Sequence, residues 1–537
     1  MAVRAALVAG TCMSAVLLSF AFASATYAAT CNFAATTDNF FNTSANWSCG
    51  HVPVAADDAV IPAATSTDLD VASATVGNLF IGTGSTFDTS GNDLTINNTV
   101  SSTGSLVSSG SSLITIGNDM DFRGGGTFTP GTGTVIFSTP SIIDVSEILT
   151  NTPMSFNNLT VSSTQFVRPS SAVLYTVGGA LTITQGTLHL VNGSSVTVNG
   201  AMNTAAAGTF ATQSGTVFTA NGTSTNNGIF GSLNAGLLIF NNDFINNGTI
   251  LGTAPGDSES LTFNKAFTNT GTFNSGSSTV TFSGAGAQTI PSVTFWNLTG
   301  SKTSGVLSLG GNVVVNGTTS ITDGGSSTFD YNGSQLEARG DTTMGVNFPL
   351  SGTLLIDGTG AQALDDVLAF HLIINKASGV ATCFSGCEAT SDFVIQSGTY
   401  NGGSVMTELL STGGTPFLVA GGTFQPGTGT MRYAGSLETI ATTTFNNLLI
   451  EGGGAHENMN GSTTVLGTFS MPLSNDSLAI GSSGILTVNG SFSNGGLITE
   501  GASGHIIHPA EAVTFTNSAG TPVGSYTSPT SVYFKVA

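Results

Sequence analysis

Leu181-Thr-Ile-Thr184, Leu188-His-Leu-Val191 and Val196-Thr-Val-Asn199 follow one another with only Gln185-Gly186 and Asn192-Gly193 marking the breaks between them. Each run alternates apolar and polar residues, the two-residue period of a half-buried strand, and the residues between are turn formers. Strands this short and this evenly spaced fit a sandwich, a propeller or a solenoid.

Longer-range repetition narrows the choice. A signature of Phe, one or two polar residues and Leu recurs as Phe156-Asn-Asn-Leu159, Phe230-Gly-Ser-Leu233, Phe295-Trp-Asn-Leu298, Phe370-His-Leu372 and Phe445-Asn-Asn-Leu448. The successive Phe residues stand 74, 65, 75 and 75 positions apart. A second element recurs ahead of it, in Gly131-Thr-Gly-Thr-Val-Ile-Phe137, Gly215-Thr-Val-Phe218, Ser278-Thr-Val-Thr-Phe282 and Gly427-Thr-Gly-Thr-Met-Arg-Tyr433. Two elements recurring in one order mark a true internal repeat. The punctuation runs on without a linker or a helical stretch, which favours a solenoid over separate domains.

Composition agrees. Of 537 residues, 7% are charged, against about 25% in an ordinary domain, and 71 are Gly. Stacked rungs place equivalent residues about 4.8 Å apart, where like charges repel and Asn side chains form ladders. With 34 Phe the chain is too aromatic and too weakly charged for disorder, and its composition excludes a coiled coil. The fold expected is all-β, a β-solenoid read as a right-handed parallel β-helix, with about three rungs per long unit. Phe156, Phe230, Phe295, Phe370 and Phe445 are expected to point inward at equivalent positions.

The ends read differently. Residues 1–29 carry Arg4, an apolar stretch from Ala5 to Phe22 and small residues at Ala23-Ser-Ala25 and Ala28-Ala29, the pattern of a secretory signal peptide. A membrane anchor is the competing reading, weakened by Gly10, Thr11, Ser14 and Ser19 in the apolar stretch; no later segment is apolar for the roughly 20 residues that span a bilayer. Residues 30–65 are expected to cap the solenoid, with Phe33, Phe40, Phe41 and Trp47 covering the open core and a Cys31–Cys49 disulfide holding them. A second disulfide is expected between Cys383 and Cys387, with a metal or redox site as the weaker alternative. Residues 66–504 form the solenoid. Residues 505–537 lose the pattern, and their strands, Val513–Thr516 and Ser531–Val536, suggest a different module, either the start of one in a longer chain or an end that pairs with another element.

Asn39-Phe-Phe-Asn-Thr-Ser-Ala-Asn-Trp47-Ser-Cys49-Gly-His-Val-Pro53, followed by Asp57-Asp58-Ala-Val-Ile61, resembles the opening segment of secreted bacterial β-strand-repeat surface proteins. The Thr-Phe-x-Pro-Gly-Thr-Gly-Thr and Phe-Asn-Asn-Leu elements resemble the body of the same adhesin-like proteins. The resemblance implies a parallel β-helix at the cell surface, and it supplies no catalytic motif.

Chemistry-bearing clusters are sparse. Asp119, Asp121 and Arg123 form the strongest acid-base candidate, and Asp365-Asp366 the second; a solvated turn is the plainer reading of each. Asp57-Asp58 suits a strand-initiating turn better than Ca²⁺. His505 and His508 are spaced as metal ligands, next to a Pro that suggests a loop. No metal or cofactor is implied. A formal net charge of −21 opposes nucleic acid and anionic lipid. The function expected is an exported structural or adhesive element, outside the cell or on its surface, binding glycans, cells or envelope partners through many polar contacts. A polysaccharide lyase or glycoside hydrolase on the same scaffold is the alternative. An ice-binding solenoid ranks third, because the Thr residues of Thr182-Ile-Thr184 and Val196-Thr-Val198 are not expected to persist at rung spacing.

Overall fold

The computed structural model describes residues 28–508 except 139–144, 170–171, 192, 233–235, 253–258, 324–326 and 346–350, together with strands Ala512–Thr516, Pro522–Thr527 and Val532–Phe534. Most of the expected signal segment, 1–27, lies outside the described residues.

Near the N-terminus one turn of chain contributes three short strands, Ser73–Val76, Leu79–Ile81 and Thr86–Asp88. The next turn contributes Asp93–Ile96, Val100–Ser102 and Ser105–Val107. Each strand pairs in parallel with its counterpart, Ser73 with Asp93, Leu79 with Val100 and Thr86 with Ser105. Parallel pairing needs a long return path, and here the rest of the turn is that path. Repetition builds an all-β parallel β-solenoid of about 20 turns. Three turns, from Leu159 through Leu181 and Met202 to Ser224, use about one long sequence unit.

Alternation then decides what is inside. Leu94, Ile96, Val100 and Leu106 point into the core, while Thr95 and Ser101 between them face outward. Corners are tight: a Cβ on Gly222 would lie 2.1 Å from the carbonyl oxygen of Gly200 one turn below, so only glycine lets these backbones approach.

Phe156, Phe230, Phe295 and Phe445 are fully buried. In the middle turns Phe230 and Phe295 belong to a continuous aromatic stack: Phe210 and Phe230 have centroids 4.7 Å apart, Phe240 and Phe263 5.3 Å, Phe263 and Phe267 4.4 Å, and Phe273 and Phe295 5.4 Å. Phe230 is inward but not equivalent to the others: it pairs with Phe210 and Ile250, and Leu238, paired to Phe218, holds the place that Leu159, Leu298 and Leu448 hold in their copies. Phe370 departs from expectation and is only half-buried. It stands two residues before Leu372, whereas the other signatures have their Phe three residues before the Leu. A register shift between Ala369 and His371 accommodates the missing residue, so Ala369 takes the inner place.

The repeat also carries a buried polar pair. Lys302 Nζ donates to Gln288 Oε1 at 2.6 Å, and Gln288 Nε2 donates to the carbonyls of Phe263 and Lys265. Lys376 donates in the same way to Gln362, whose Nε2 binds the carbonyls of Ala338 and Gly340. Burial pushes both ammonium groups below the usual lysine range. Gln288 lies seven residues before Phe295, and Gln362 seven before Ala369, which confirms Ala369 as the equivalent of the signature Phe.

At the N-terminal end the Cys31–Cys49 disulfide closes the cap. Trp47 packs edge-on against Phe33 and Phe41, both at 5.1 Å, and its Nε1 donates to the Phe41 carbonyl. Phe40, expected to help cover the core, is instead 44% exposed, because its neighbour Phe41 takes the inward direction. At the other end His505–His508 still pairs in parallel with Ile485–Val488, extending the rung pattern past 504. Beyond it the pairing becomes antiparallel, between Val532–Phe534 and His505–His508 and within Ala512–Thr516 and Pro522–Thr527.

Candidate functional site

Two surfaces gather polar side chains in ways that follow from the rung register. The first is an outward face of the middle turns. Thr176, Thr197 and Thr219 stand in register, followed by Ile239, Thr262, Thr281, Thr299, Ser320 and Thr343. A second outward column runs through Thr75, Thr95, Thr115, Ile136, Thr160 and Thr182. The Thr positions thus do persist at rung spacing, contrary to the sequence expectation. The signal was hidden because consecutive members of a column lie about one turn of sequence apart. Threonine is stiff at χ1, so each column holds its hydroxyl and methyl groups in a regular array.

Beside the first column runs an amide ladder at the turn. Asn221 Nδ2 donates to Asn199 Oδ1 and Asn241 Nδ2 to Asn221 Oδ1, both at 2.8 Å, and Asn264 Nδ2 donates to Asn241 Oδ1 at 2.7 Å. Ser283 Oγ caps the ladder on Asn264. A carboxamide has two N–H donors and two lone pairs. Inside the ladder one of each is used per residue, leaving one donor and one lone pair per rung for a ligand.

The second surface is an acidic cleft of about 180 Å³ in the C-terminal third, lined by Asp366, Glu388, Glu408 and Met406 beside Cys387. Glu388, Glu408 and Arg432 stand in register on successive turns. Arg432 Nη1 pairs with Glu408, and Nη2 donates to the Glu451 carbonyl at 3.2 Å. Among the described residues Glu388 makes no ion pair, Arg432 reaching it only at longer range, and its Oε1 is buried without a hydrogen-bond partner. Desolvation, with repulsion from Glu408, pushes its carboxyl up to about 7. Glu388 can therefore hold a proton near neutrality beside a neighbour that is salt-bridged to Arg432. The Cys383–Cys387 disulfide closes the loop that borders the cleft, with Phe384 at its tip 61% exposed. Asp366, at φ 52°, holds a left-handed backbone conformation that Asp tolerates better than most residues.

The sequence-selected residues lie elsewhere or play smaller parts. Asp119, Asp121 and Arg123 do share the outer side of one strand and its flank. Arg123 donates to Asp121 from Nε at 3.0 Å and from Nη2 at 2.7 Å, and this holds the Asp121 carboxyl below the usual range. Asp119 accepts from the Glu147 backbone N–H, and burial raises its carboxyl. Of Asp365-Asp366, only Asp366 lines the cleft; Asp365 accepts from Ser385 Oγ. Asp57 accepts from the backbone N–H groups of Ala29 and Val54, and Asp58 from Asn78 Nδ2, so these oxygens knit the cap to the first turns. His505 Nδ1 lies 3.0 Å from the Ser503 carbonyl, and the His508 side chain lies outside the described residues. Glu388, Glu408 and Arg432 were missed because they are separated by 20 and 24 residues, distances that mean adjacency only once the rung length is known.

No family model, curated protein or solved structure matches the chain. No described helix is long and apolar enough to cross a membrane.

Proposed function

We propose that the chain is a structural or adhesive rod, exported by its N-terminal segment, that holds uncharged polysaccharide along its Thr and Asn columns. The observation that carries this reading is the juxtaposition of the Thr176–Thr343 column with the Asn199–Asn264 ladder. Hydroxyl groups of a periodic glycan meet a donor, an acceptor and a methyl group at each rung, about every 4.8 Å. Each contact is weak, and many along one rod add through effective concentration. The formal charge of −21 disfavours polyanions, so neutral chains are the class expected.

The test is co-sedimentation of the purified protein with insoluble neutral polysaccharides, alongside Thr219→Lys/Thr262→Lys, which places two bulky charges on the face without touching the core. Retention of intact polysaccharide by the parent chain and its loss in the variant supports the reading. Equal retention by both overturns it. Soluble products that disappear in Glu388→Gln would assign the chain a hydrolytic or eliminative activity at the acidic cleft. Arrest of ice growth that disappears in the Thr variant would assign the same face to ice.

A further inference from the structure

The turns after the cleft bury three more carboxylates. Glu438, Glu457 and Asp476 are each no more than 1% exposed. Glu438 lies seven residues before Phe445, the place that Gln288 and Gln362 occupy in the preceding copies of the repeat. In those copies the amide is flanked by a lysine and bonds two carbonyls. In this copy Gly452 stands where the lysine would be, and the residue is an acid whose oxygens accept from the Ser411 and Gly435 backbone N–H groups at 3.1 and 3.2 Å.

Thr439 bridges in parallel to Asn458, which sets Glu457 against Glu438 on the next turn. Neither Glu457 oxygen meets a well-aligned donor among the described residues, the Glu438 backbone N–H being near enough only to offset part of the burial, and Asp476 Oδ2 is also buried without one. The remaining Asp476 oxygen accepts from the Gly454 and Ala455 N–H groups. The titratable groups facing the pair are Tyr433 and Asp476, neither of them a cation. Tyr433 is fully buried and its hydroxyl accepts from Ala441 N. Arg432 lies on the outer side of its strand with Glu408 and Glu451, and exposed His456 bonds Ser477 Oγ.

We propose that Glu438 and Glu457 share one proton, one carboxyl donating to the other carboxylate, and that this hydrogen bond clamps neighbouring turns of the C-terminal solenoid until alkaline pH removes it. Two ionised carboxylates facing each other in a dry core repel without compensation, whereas a shared proton supplies the donor that Glu457 lacks. Burial moves both groups upward, Glu438 to about 8 and Glu457 to about 7. In the unfolded chain both titrate near their ordinary values. The folded state therefore binds more protons between about pH 4.5 and 8, and the stability of these turns falls as pH rises through that window.

Hydrogen exchange of the full chain between pH 5.5 and 8.5, corrected for intrinsic rates and run with either EDTA or Ca²⁺, tests the clamp. Protection of His456–Met459 and Ser477–Ile480 should drop by roughly tenfold or more across the range. Protection of the Asn199–Asn264 turns should stay flat. Glu457→Gln, which donates an N–H at every pH, should abolish the drop, and Glu438→Gln provides the reciprocal variant should the first fail to fold. Flat protection in the parent chain overturns the proposal. So does a drop that survives in a folded variant, and so does protection at pH 8.5 restored by Ca²⁺, which would make the pair a cation site.

Discussion

The turns from Asn199 to Ser283 and those from Asp366 to Asp476 share one backbone plan and satisfy their polar side chains by opposite means. In the first set, amides bond amides: the outer ladder from Asn199 to Asn264 is matched by an inner one, in which Asn226 donates to Asn246 and Asn246 to Asn269 at 2.7 and 2.6 Å. In the second set, carboxylates stand at comparable positions, and each needs a partner of another kind. Glu408 has Arg432, one Asp476 oxygen has two backbone N–H groups while the other has none, Glu388 has a buried oxygen without an aligned donor, and Glu457 has only Glu438 beside it. A carboxamide carries its own donor and acceptor and so complements its own copy one rung away. A carboxylate only accepts, so stacking it imports a dependence on protons or cations. The parallel solenoid thus makes an Asn column indifferent to pH and an acidic column responsive to it.

The comparison can be broken most severely in the aromatic stack. Phe295→Asp buries an unpaired charge in the middle turns and should cost several kcal/mol in chemical denaturation. The same change at half-buried Phe370, in the acidic set, should cost far less; equal losses would mean that Ala369 does not hold the inner place. Next in size, Asn241→Asp puts a carboxylate into the amide ladder. At pH 7 it removes the donor to Asn221, for a loss of about 1 kcal/mol, and part of that loss should return near pH 3, where the carboxyl regains a proton. A pH-independent deficit would show that the ladder is held by packing. A change in pH dependence is expected next, at Glu388→Gln. The folded carboxyl titrates near 7 and the unfolded one near 4.5, so the parent chain loses stability as pH rises between them. The variant should flatten that part of the curve in melts from pH 4.5 to 8. Smallest of all, Arg123→Ala removes an exposed ion pair from the N-terminal turns and should leave the melting midpoint unchanged at moderate salt.

Much of the architecture was legible in the sequence because a solenoid repeats its instructions. The alternation at Leu181–Asn199, the Phe-x-x-Leu spacing and the cysteine pairs are local patterns, and local patterns survive without knowledge of the register. Phe370 misled because one residue is missing between it and its Leu, and only the backbone shift at Ala369 shows which residue turns inward. The Thr columns and the Glu388, Glu408 and Arg432 column were invisible for a related reason. Turn lengths vary, so no fixed period in the sequence picks out vertical neighbours. Glu438 could have been noticed as the acid that replaces Gln288 and Gln362 in the third copy, but its burial depends on what the following turn places against it.

Pairing each turn only with its neighbours also fixes how the molecule bears load. Tension applied through the chain ends would meet the bonds of one turn at a time, because a residue such as Leu79 is joined to Ala59 below and Val100 above and to nothing farther away along the sheet. A turn that lets go releases its whole contour, about 70 Å at full extension for roughly 20 residues, while the turns behind it remain closed. Pulled from its ends, the rod would lengthen in steps of one turn each, unequal where turn lengths differ, and absorb work at each one, the behaviour of a shock-absorbing tether.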